Sequence, residues 1–164
     1  MGSPPVQQQP PSGGMGEPQQ QHIRSVSIDR IVQEDVVIAN LNTSIQDVVS
    51  KMSQEDVGSV VIVDDDDHPL DVITDRKIAL LLEDETDISD LEVSDITEEN
   101  VITAASEISV SEALDELQDA GIRRLPIVEN DTLAGIVTLD DLLVYLAHDF
   151  QKAANIIQSQ APRL

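Results

Sequence analysis

The sequence of 164 residues contains no cysteine and very few aromatic residues. Without cysteine the chain can form no disulfide, thiolate metal site or cysteine nucleophile, which fits a cytoplasmic protein without requiring that location. Because aromatic residues make up only 1% of the chain, aliphatic side chains must fill any core. An apolar run of about 18 residues is also absent, so we expect no transmembrane helix, and the first 30 residues lack the apolar centre of a signal peptide.

Positive charge is scarce. The chain has 9 Lys and Arg against 32 Asp and Glu, which gives a formal net charge of −23. Phosphates would be repelled over most of such a surface, so we expect binding neither to nucleic acid nor to anionic membranes. Because Asp predominates among the acids and Lys is rare, the composition resembles that of halophilic cytosolic proteins, whose self-repulsion molar salt screens within about 3 Å. The alternative is an ordinary acidic protein from a mesophile.

Most of the chain is an internal repeat. Residues 31–63 align without a gap on residues 96–128, and apolar residues recur at most of the same positions, for example Val49 with Leu114 and Met52 with Leu117. Two copies favour a pair that shares one buried face over a solenoid, which needs three or more. Before the repeat, the chain is rich in Pro, Gln and Gly and too polar to order itself. We therefore divide the sequence into a disordered tail at residues 1–24, repeat 1 at residues 25–88, repeat 2 at residues 89–150 and a C-terminal helical extension at residues 151–164.

Each copy predicts the same order of elements. A short apolar strand leads to Ser44 or Ser109, each with an acid three residues later, which is the spacing of a capping box at a helix start. A helix, a β-branched strand, a polar turn and a second strand follow, and Thr74 or Thr138 is placed to cap the next helix. The predicted fold is mixed α/β, of the α+β class, with two β-α-β-β-α repeats packed through their sheets as a pseudo-twofold pair.

A known family shares this pattern. Two such units, with "GIRRLPIV" leading to "AGIVTLDDLL", resemble a tandem pair of CBS domains, the cystathionine-beta-synthase-type repeat, over about residues 25–150. In that family the pattern Gly-hydrophobic-hydrophobic-Thr/Ser-x-x-Asp marks a nucleotide site. In repeat 1, Asp71 replaces the glycine and Lys77 replaces the aspartate. In repeat 2 the pattern is complete, as Gly135, Ile136, Val137, Thr138 and Asp141.

The resemblance implies a function without catalysis. Such pairs sense an adenosine-containing ligand, such as AMP, ADP, ATP or S-adenosylmethionine, and often form a homodimer shaped like a flat disc. We therefore expect a regulatory module with no catalytic residue, no bound metal and no permanent cofactor. The alternative is a protein-interaction or dimerisation module with a vestigial ligand site, whose exposed helices bind an unidentified regulated protein.

The ribose of such a ligand has a candidate partner in Asp141. An ionised carboxylate can accept hydrogen bonds from both ribose hydroxyls. Thr138 lies three residues earlier at a predicted helix start, where backbone N–H groups favour an anion. The same pair also has the spacing of an ordinary N-cap with an acid at its third position, and without the family resemblance we would favour the cap.

The phosphates have candidate partners in Arg123 and Arg124, because guanidinium groups offer donors in a fixed geometry. The resemblance, in which basic pairs occur at this position, supports that assignment. Adjacent strand residues point to opposite faces, so the alternative is that one arginine pairs with a surface Asp. The residues proposed to form the apolar wall around the base are Ile122, Pro126 and Ile136 and, from the resemblance, Val37 and Ala39.

Repeat 1 predicts only a degenerate site. Lys77 cannot accept ribose hydroxyls, and glycine and serine stand where repeat 2 has its two arginines. Thr74 keeps its capping position, and Arg76 and Lys77 could still contact a phosphate. The acidic run before His68 predicts a solvated turn in preference to a cation site, because it lacks the spaced ligands of a calcium loop.

Overall fold

The computed structural model describes residues 26–83 and 87–160, so the predicted tail at residues 1–24 lies outside the described part. Both repeats show the predicted order of strand, helix, strand, strand and helix. Repeat 1 contains β1 (Ile38–Ala39), α1 (Ile45–Glu55), β2 (Ser59–Val63), β3 (Pro69–Thr74) and α2 (Asp75–Glu83). Repeat 2 contains β4 (Ala104–Ala105), α3 (Val110–Ala120), β5 (Arg124–Glu129), β6 (Thr132–Thr138) and α4 (Leu139–Gln160). The predicted mixed α/β fold is confirmed.

The strands of the described chain form two equivalent three-stranded sheets, ordered β1-β2-β3 and β4-β5-β6. The first pair in each sheet is parallel and the second pair is antiparallel. In repeat 2, Arg124 lies opposite Thr138, and Pro126 lies opposite Ile136. This register brings the start of β5 beside the end of β6, where α4 begins.

The helix starts follow the local sequence. Ser44 Oγ accepts a hydrogen bond from Asp47 N at 3.0 Å. Ser109 and Glu112 form the full capping box, because Ser109 Oγ accepts from Glu112 N and Glu112 Oε2 accepts from Ser109 N. The hydrogen bonds that Ser109 donates hold the pKa of the Glu112 carboxyl below its usual value. Gly121 ends α3 with a positive φ of 65°, a backbone conformation in which glycine has no steric penalty.

Each hydrophobic core is completed by a segment from the start of the other repeat. Residues 26–33, here called the crossing segment, place Ile28 and Ile31 in the core of repeat 2. In turn, Val93, which leads into repeat 2, is fully buried in the core of repeat 1. Backbone hydrogen bonds fix both segments in place. Val110 N donates to Val26 O at 2.8 Å, and Val93 N donates to Thr43 O at 2.9 Å. The two repeats therefore form one cooperative unit.

The crossing segment forms an antiparallel bridge to the edge strand β6, next to Gly135. Gln33 and Ile136 exchange two backbone hydrogen bonds, each of 2.9 Å. A Cβ atom on Gly135 would lie 2.3 Å from Val32 Cγ1 and 2.8 Å from the carbonyl oxygen of Gln33. Real Cβ atoms do not approach other atoms so closely. The glycine of the motif is thus required so that the backbone of the crossing segment can approach β6.

We expect Gly135→Ala to lower the free energy of unfolding by about 1–3 kcal/mol, because the new methyl group overpacks against a hydrogen-bonded backbone. Gly58→Ala is the matched control. Its new methyl group would meet Arg124 Nη2 at 2.9 Å, and the end of a flexible side chain can move away. Urea denaturation measures both variants. Equal losses would contradict the assigned role of Gly135.

Candidate functional site

A cavity of about 170 Å³ lies where the crossing segment, β2 of repeat 1 and β5–β6 of repeat 2 meet. Both repeats contribute to its walls, so anything bound there contacts both halves of the molecule. Four of the residues predicted for the ligand site line it, namely Val37, Arg124, Ile136 and Thr138. The other predicted residues lie beside or outside this cavity.

Asp141 lies beside the cavity, next to Thr138. Its Oδ2 atom accepts hydrogen bonds from the Thr138 hydroxyl and, at 3.2 Å, from Thr138 N. In return, Asp141 N donates to Thr138 Oγ1 at 3.1 Å. This is the helix cap expected for α4. The other carboxylate oxygen, Oδ1, takes no part in the cap and accepts from Gln33 Nε2 at 2.9 Å.

The structure separates the two adjacent arginines at the start of β5. Arg124 is half-buried and lines the cavity, beside Gly58 of repeat 1. Arg123 is exposed and lies outside the cavity, with its Nη2 atom 3.3 Å from Asp140 Oδ1. Arg124 is the first residue of β5, whereas Arg123 precedes the strand and its carbonyl accepts from the first N–H of α4. The geometry brings only Arg124 to the cavity, and Arg123 has the surface Asp partner of the alternative hypothesis.

The residues proposed for the base wall are divided as well. Val37 and Ile136 line the cavity from opposite repeats. Ala39 is buried in the core of repeat 1, and Ile122 packs against the core of repeat 2. Pro126 is buried within the sheet of repeat 2, opposite Ile136. These three side chains contribute to packing and do not line the cavity.

Apart from the strand near Val37, sequence reasoning missed the lining that comes from repeat 1 and from the crossing segment. Gly58 and Arg123 occupy equivalent positions, because each carbonyl accepts from the first N–H of the next helix, at 3.1 and 2.9 Å. Because Gly58 has no side chain, its presence could have predicted open space beside Arg124. Gln33 lies near the start of the repeat pattern and belongs to no recognised motif, so nothing in the sequence assigned it to the site. The missed lining residues are Gln33, Asp35, Val57, Gly58, Ser59 and Val61.

In repeat 1, the two residues that depart from the family motif pair with each other. Lys77 Nζ lies 2.9 Å from Asp71 Oδ2, and the two side chains are only 28% and 13% exposed. Thr74 Oγ1 still accepts from Lys77 N at 3.1 Å, so the helix cap is retained. Arg76 is exposed. The ammonium that replaces the motif aspartate thus donates to the carboxylate that replaces the motif glycine.

The acidic turn before His68 closes on itself. Asp64 Oδ1 accepts from His68 N at 2.8 Å, and Asp64 Oδ2 lies 2.9 Å from His68 Nδ1. The hydrogen bond from the backbone N–H of His68 is the main cause of the lowered pKa of Asp64. The hydrogen bond between the two side chains, in turn, raises the pKa of His68. Across residues 26–83 and 87–160, no group of three or more His, Asp or Glu side chains could hold a metal ion.

No helix within the described ranges has the length and the apolar content needed to cross a bilayer. The longest of them, α4, has 22 residues, and acids, amides and a lysine interrupt its sequence.

Comparisons with known proteins identify the family of this chain. A family model described as "CBS domain" matches residues 28–84 and 93–148. An uncharacterized protein of Methanopyrus kandleri is 37% identical over 123 residues, which are 74% of this chain and 63% of that protein. The inosine-5′-monophosphate dehydrogenase of Methanocaldococcus jannaschii is 27% identical over 153 residues, 80% of this chain and 30% of the enzyme. The chain therefore spans less than two thirds of the length of either relative.

Solved structures share the fold. The CBS domain pair of protein MJ0100, in complex with 5′-methylthioadenosine and S-adenosyl-L-methionine, superposes with a TM-score of 0.69 at 22% identity. That likeness covers 76% of this chain and 98% of the other. An uncharacterized conserved protein from Pyrococcus horikoshii superposes with a TM-score of 0.67 at 27% identity. That match covers 74% of this chain and 92% of the other. The predicted resemblance to a CBS pair is confirmed.

We expect the Asp71–Lys77 pair to show strong coupling in a double-mutant cycle. Lys77→Ala alone should lower the free energy of unfolding by about 1–3 kcal/mol, because it leaves a largely buried carboxylate without its partner. The double variant with Asp71→Ala should lose clearly less than the sum of the single variants, with a coupling energy of about 1 kcal/mol. Urea denaturation measures all four proteins.

The exposed Arg123–Asp140 pair is the matched control for this cycle. Its side chains are 68% and 77% exposed, so we expect a coupling energy close to zero. Equal coupling in both cycles would contradict the view that the repeat 1 pair is a buried replacement for a ligand site.

Proposed function

Since this chain belongs to the CBS-domain family, we propose that it is a non-catalytic regulatory module that binds an adenosine-containing ligand between its two repeats. The ligand occupies the cavity beside Thr138 and Asp141 of repeat 2. The equivalent position in repeat 1 is closed by the Asp71–Lys77 ion pair and binds no ribose.

The observation that carries this proposal is the setting of Arg124. Acids outnumber cations by 32 to 9 in the chain, yet the half-buried Arg124 makes no ion pair or hydrogen bond with any described side chain. It is also the one cationic residue among those that line the described cavity. A half-buried guanidinium with free donors favours an anionic or polar partner from outside the chain.

The cavity offers complementary groups for each part of an adenosyl ligand. Asp141 Oδ1, which the helix cap does not use, can accept the ribose hydroxyls. Val37, Val57 and Ile136 offer apolar contact for the base, and Arg124 offers donors to the 5′ substituent. The complex of MJ0100 with 5′-methylthioadenosine and S-adenosyl-L-methionine supports this ligand class for a chain of the same fold.

Charge narrows the choice among such ligands. Asp35 lines the same cavity, and an oxygen of Asp75 lies 3.5 Å from the Cβ position of Gly58, beside Arg124. Together with the net charge of −23, these carboxylates disfavour each added phosphate. Among AMP, ADP, ATP and S-adenosylmethionine, we therefore favour AMP and S-adenosylmethionine, which carry the least negative charge.

Binding would have a regulatory effect because the lining comes from both repeats. A ligand that contacts both halves stabilises the arrangement in which those contacts form, in proportion to its differential affinity for that arrangement. The protein would then present a different surface to a regulated partner in its bound and free forms.

Isothermal titration calorimetry in molar salt tests this function with AMP, ATP, S-adenosylmethionine and 5′-methylthioadenosine. We expect binding that is lost in Asp141→Ala, because the ribose loses its acceptor. Arg124→Ala should lower the affinity for AMP by about tenfold or more, because a charge-assisted contact to the phosphate is removed. The same variant should affect 5′-methylthioadenosine less, since that compound has no phosphate.

Arg123→Ala is the matched control, since it removes a neighbouring guanidinium that lies outside the cavity. It should leave all affinities unchanged. The proposed function would be overturned by an absence of heat with every compound, or by a loss of AMP binding in Arg123→Ala that equals the loss in Arg124→Ala.

A second function, homodimerisation through the helices, is favoured by an apolar groove in repeat 1. The groove lies between α1 and α2, has a volume of about 400 Å³ and is lined mainly by Val49, Met52, Val57, Ile78 and Leu82. Within this lining, Val49 and Leu82 are 39% and 57% exposed, whereas the residues at the equivalent positions of repeat 2, Leu114 and Leu146, pack against its core cluster. On α4, Leu142 is buried in that cluster, whereas Leu143 and Phe150 are 52% and 75% exposed. We propose that a second copy covers these exposed apolar faces.

Light scattering coupled to size exclusion, in molar salt, tests the dimer. Leu82→Ser should shift the protein towards monomer, because it places a hydroxyl in the groove. Leu80→Ser is the matched control on the same helix, since Leu80 is 49% exposed and Leu82 is 57% exposed, but Leu80 does not line the groove. A monomeric wild type, or equal effects of the two variants, would contradict the dimer proposal.

A further inference from the structure

Gln33 occupies the hydrogen-bonding position that a ribose needs. Its Nε2 atom donates to Asp141 Oδ1 at 2.9 Å. The other oxygen of that carboxylate already accepts two bonds from Thr138. Gln33 therefore binds the one carboxylate oxygen that is available to a ligand.

The backbone holds residue 33 at this place. Gln33 N and O both pair with Ile136 at 2.9 Å, and Gly135 allows this close approach. These bonds involve only main-chain atoms, so they survive any rotation of the side chain. The position of residue 33 is thus fixed by the fold, whereas its competition for Asp141 depends on the identity of its side chain.

The size of the cavity also depends on Gln33. The cavity is lined in part by Gln33 and has a volume of about 170 Å³, below the roughly 300–1,000 Å³ typical of small-molecule sites. Rotation of this side chain away from Asp141 would both free the carboxylate and widen the cavity. Gln33 is exposed, and rotations of exposed side chains are fast, so its displacement imposes an energetic cost rather than a slow step.

We propose that Gln33 is a competitive gate, an internal donor that holds Asp141 in the free protein and must be displaced by the ribose. This inference rests on the proposed function, because it presumes a ligand at Asp141. The gate lowers the affinity for every adenosyl ligand by the same factor, since it acts at the ribose and not at the 5′ substituent. It sets the ligand concentration at which the module responds.

The test is Gln33→Met, which keeps the length of the side chain and removes its donor. We expect calorimetry to show about threefold to tenfold tighter binding, the gain from no longer breaking one hydrogen bond to a carboxylate. The factor should be equal for AMP and 5′-methylthioadenosine. In contrast, Arg124→Ala should separate the two compounds. Gln33→Leu provides a second variant if methionine perturbs the fold.

Gln46→Met is the matched control, because Gln46 is an exposed glutamine on α1 outside the cavity, and it should leave binding unchanged. If the wild type bound these compounds and both Gln33 variants bound them with equal or lower affinity, the gate would be overturned and the proposed function would stand. A gain that occurs for AMP alone would also overturn the gate. If neither the wild type nor any variant bound any compound, the proposed function and the gate would fall together.

Discussion

The contact of the crossing segment, residues 26–33, with β6 is the constraint on which the molecule depends. It places Ile28 and Ile31 in the core of repeat 2 and sets Gln33 beside Asp141. It is sterically allowed because residue 135 has no side chain. The reciprocal burial of Val93 in repeat 1 makes the arrangement mutual. The core of repeat 2, the cavity and the Asp141 carboxylate thus depend on the same backbone contact. A substitution that disturbs this contact therefore affects all three.

The two oxygens of the Asp141 carboxylate make different contacts. Oδ2 closes the cap of α4 through Thr138, whereas Oδ1 faces a donor that another side chain supplies. The two explanations of the Thr138–Asp141 spacing, a helix cap and a ribose site, are therefore compatible. In repeat 1 the cap persists without the carboxylate, because Thr74 still accepts from Lys77 N. Capping alone does not require an aspartate there, which supports a binding role for Asp141.

The fold could be predicted from sequence because its signals are local or periodic. Ser109 and Gly121 mark the ends of α3, and the repeated apolar pattern fixes the order of elements. Of the residues that line the cavity, the sequence predicted Ile136 and Thr138 from a short motif, and Val37 and Arg124 with the help of the family resemblance. Which of Arg123 and Arg124 faces the cavity depends on how the two repeats pack, and Gln33 reaches Asp141 only through the crossing. Both facts arise from long-range contacts that no local pattern encodes.

The exchange of segments also has a consequence for the order in which the chain folds during its synthesis. The core of repeat 1 stays incomplete until Val93 has left the ribosome, although its own strands and helices are already available. Ile28 emerges much earlier and must wait for partners as distant as Leu142. Non-local contacts of this kind slow folding and lengthen the exposure of apolar surface. A nascent first half would therefore depend on its dense negative charge to avoid aggregation until the second half arrives.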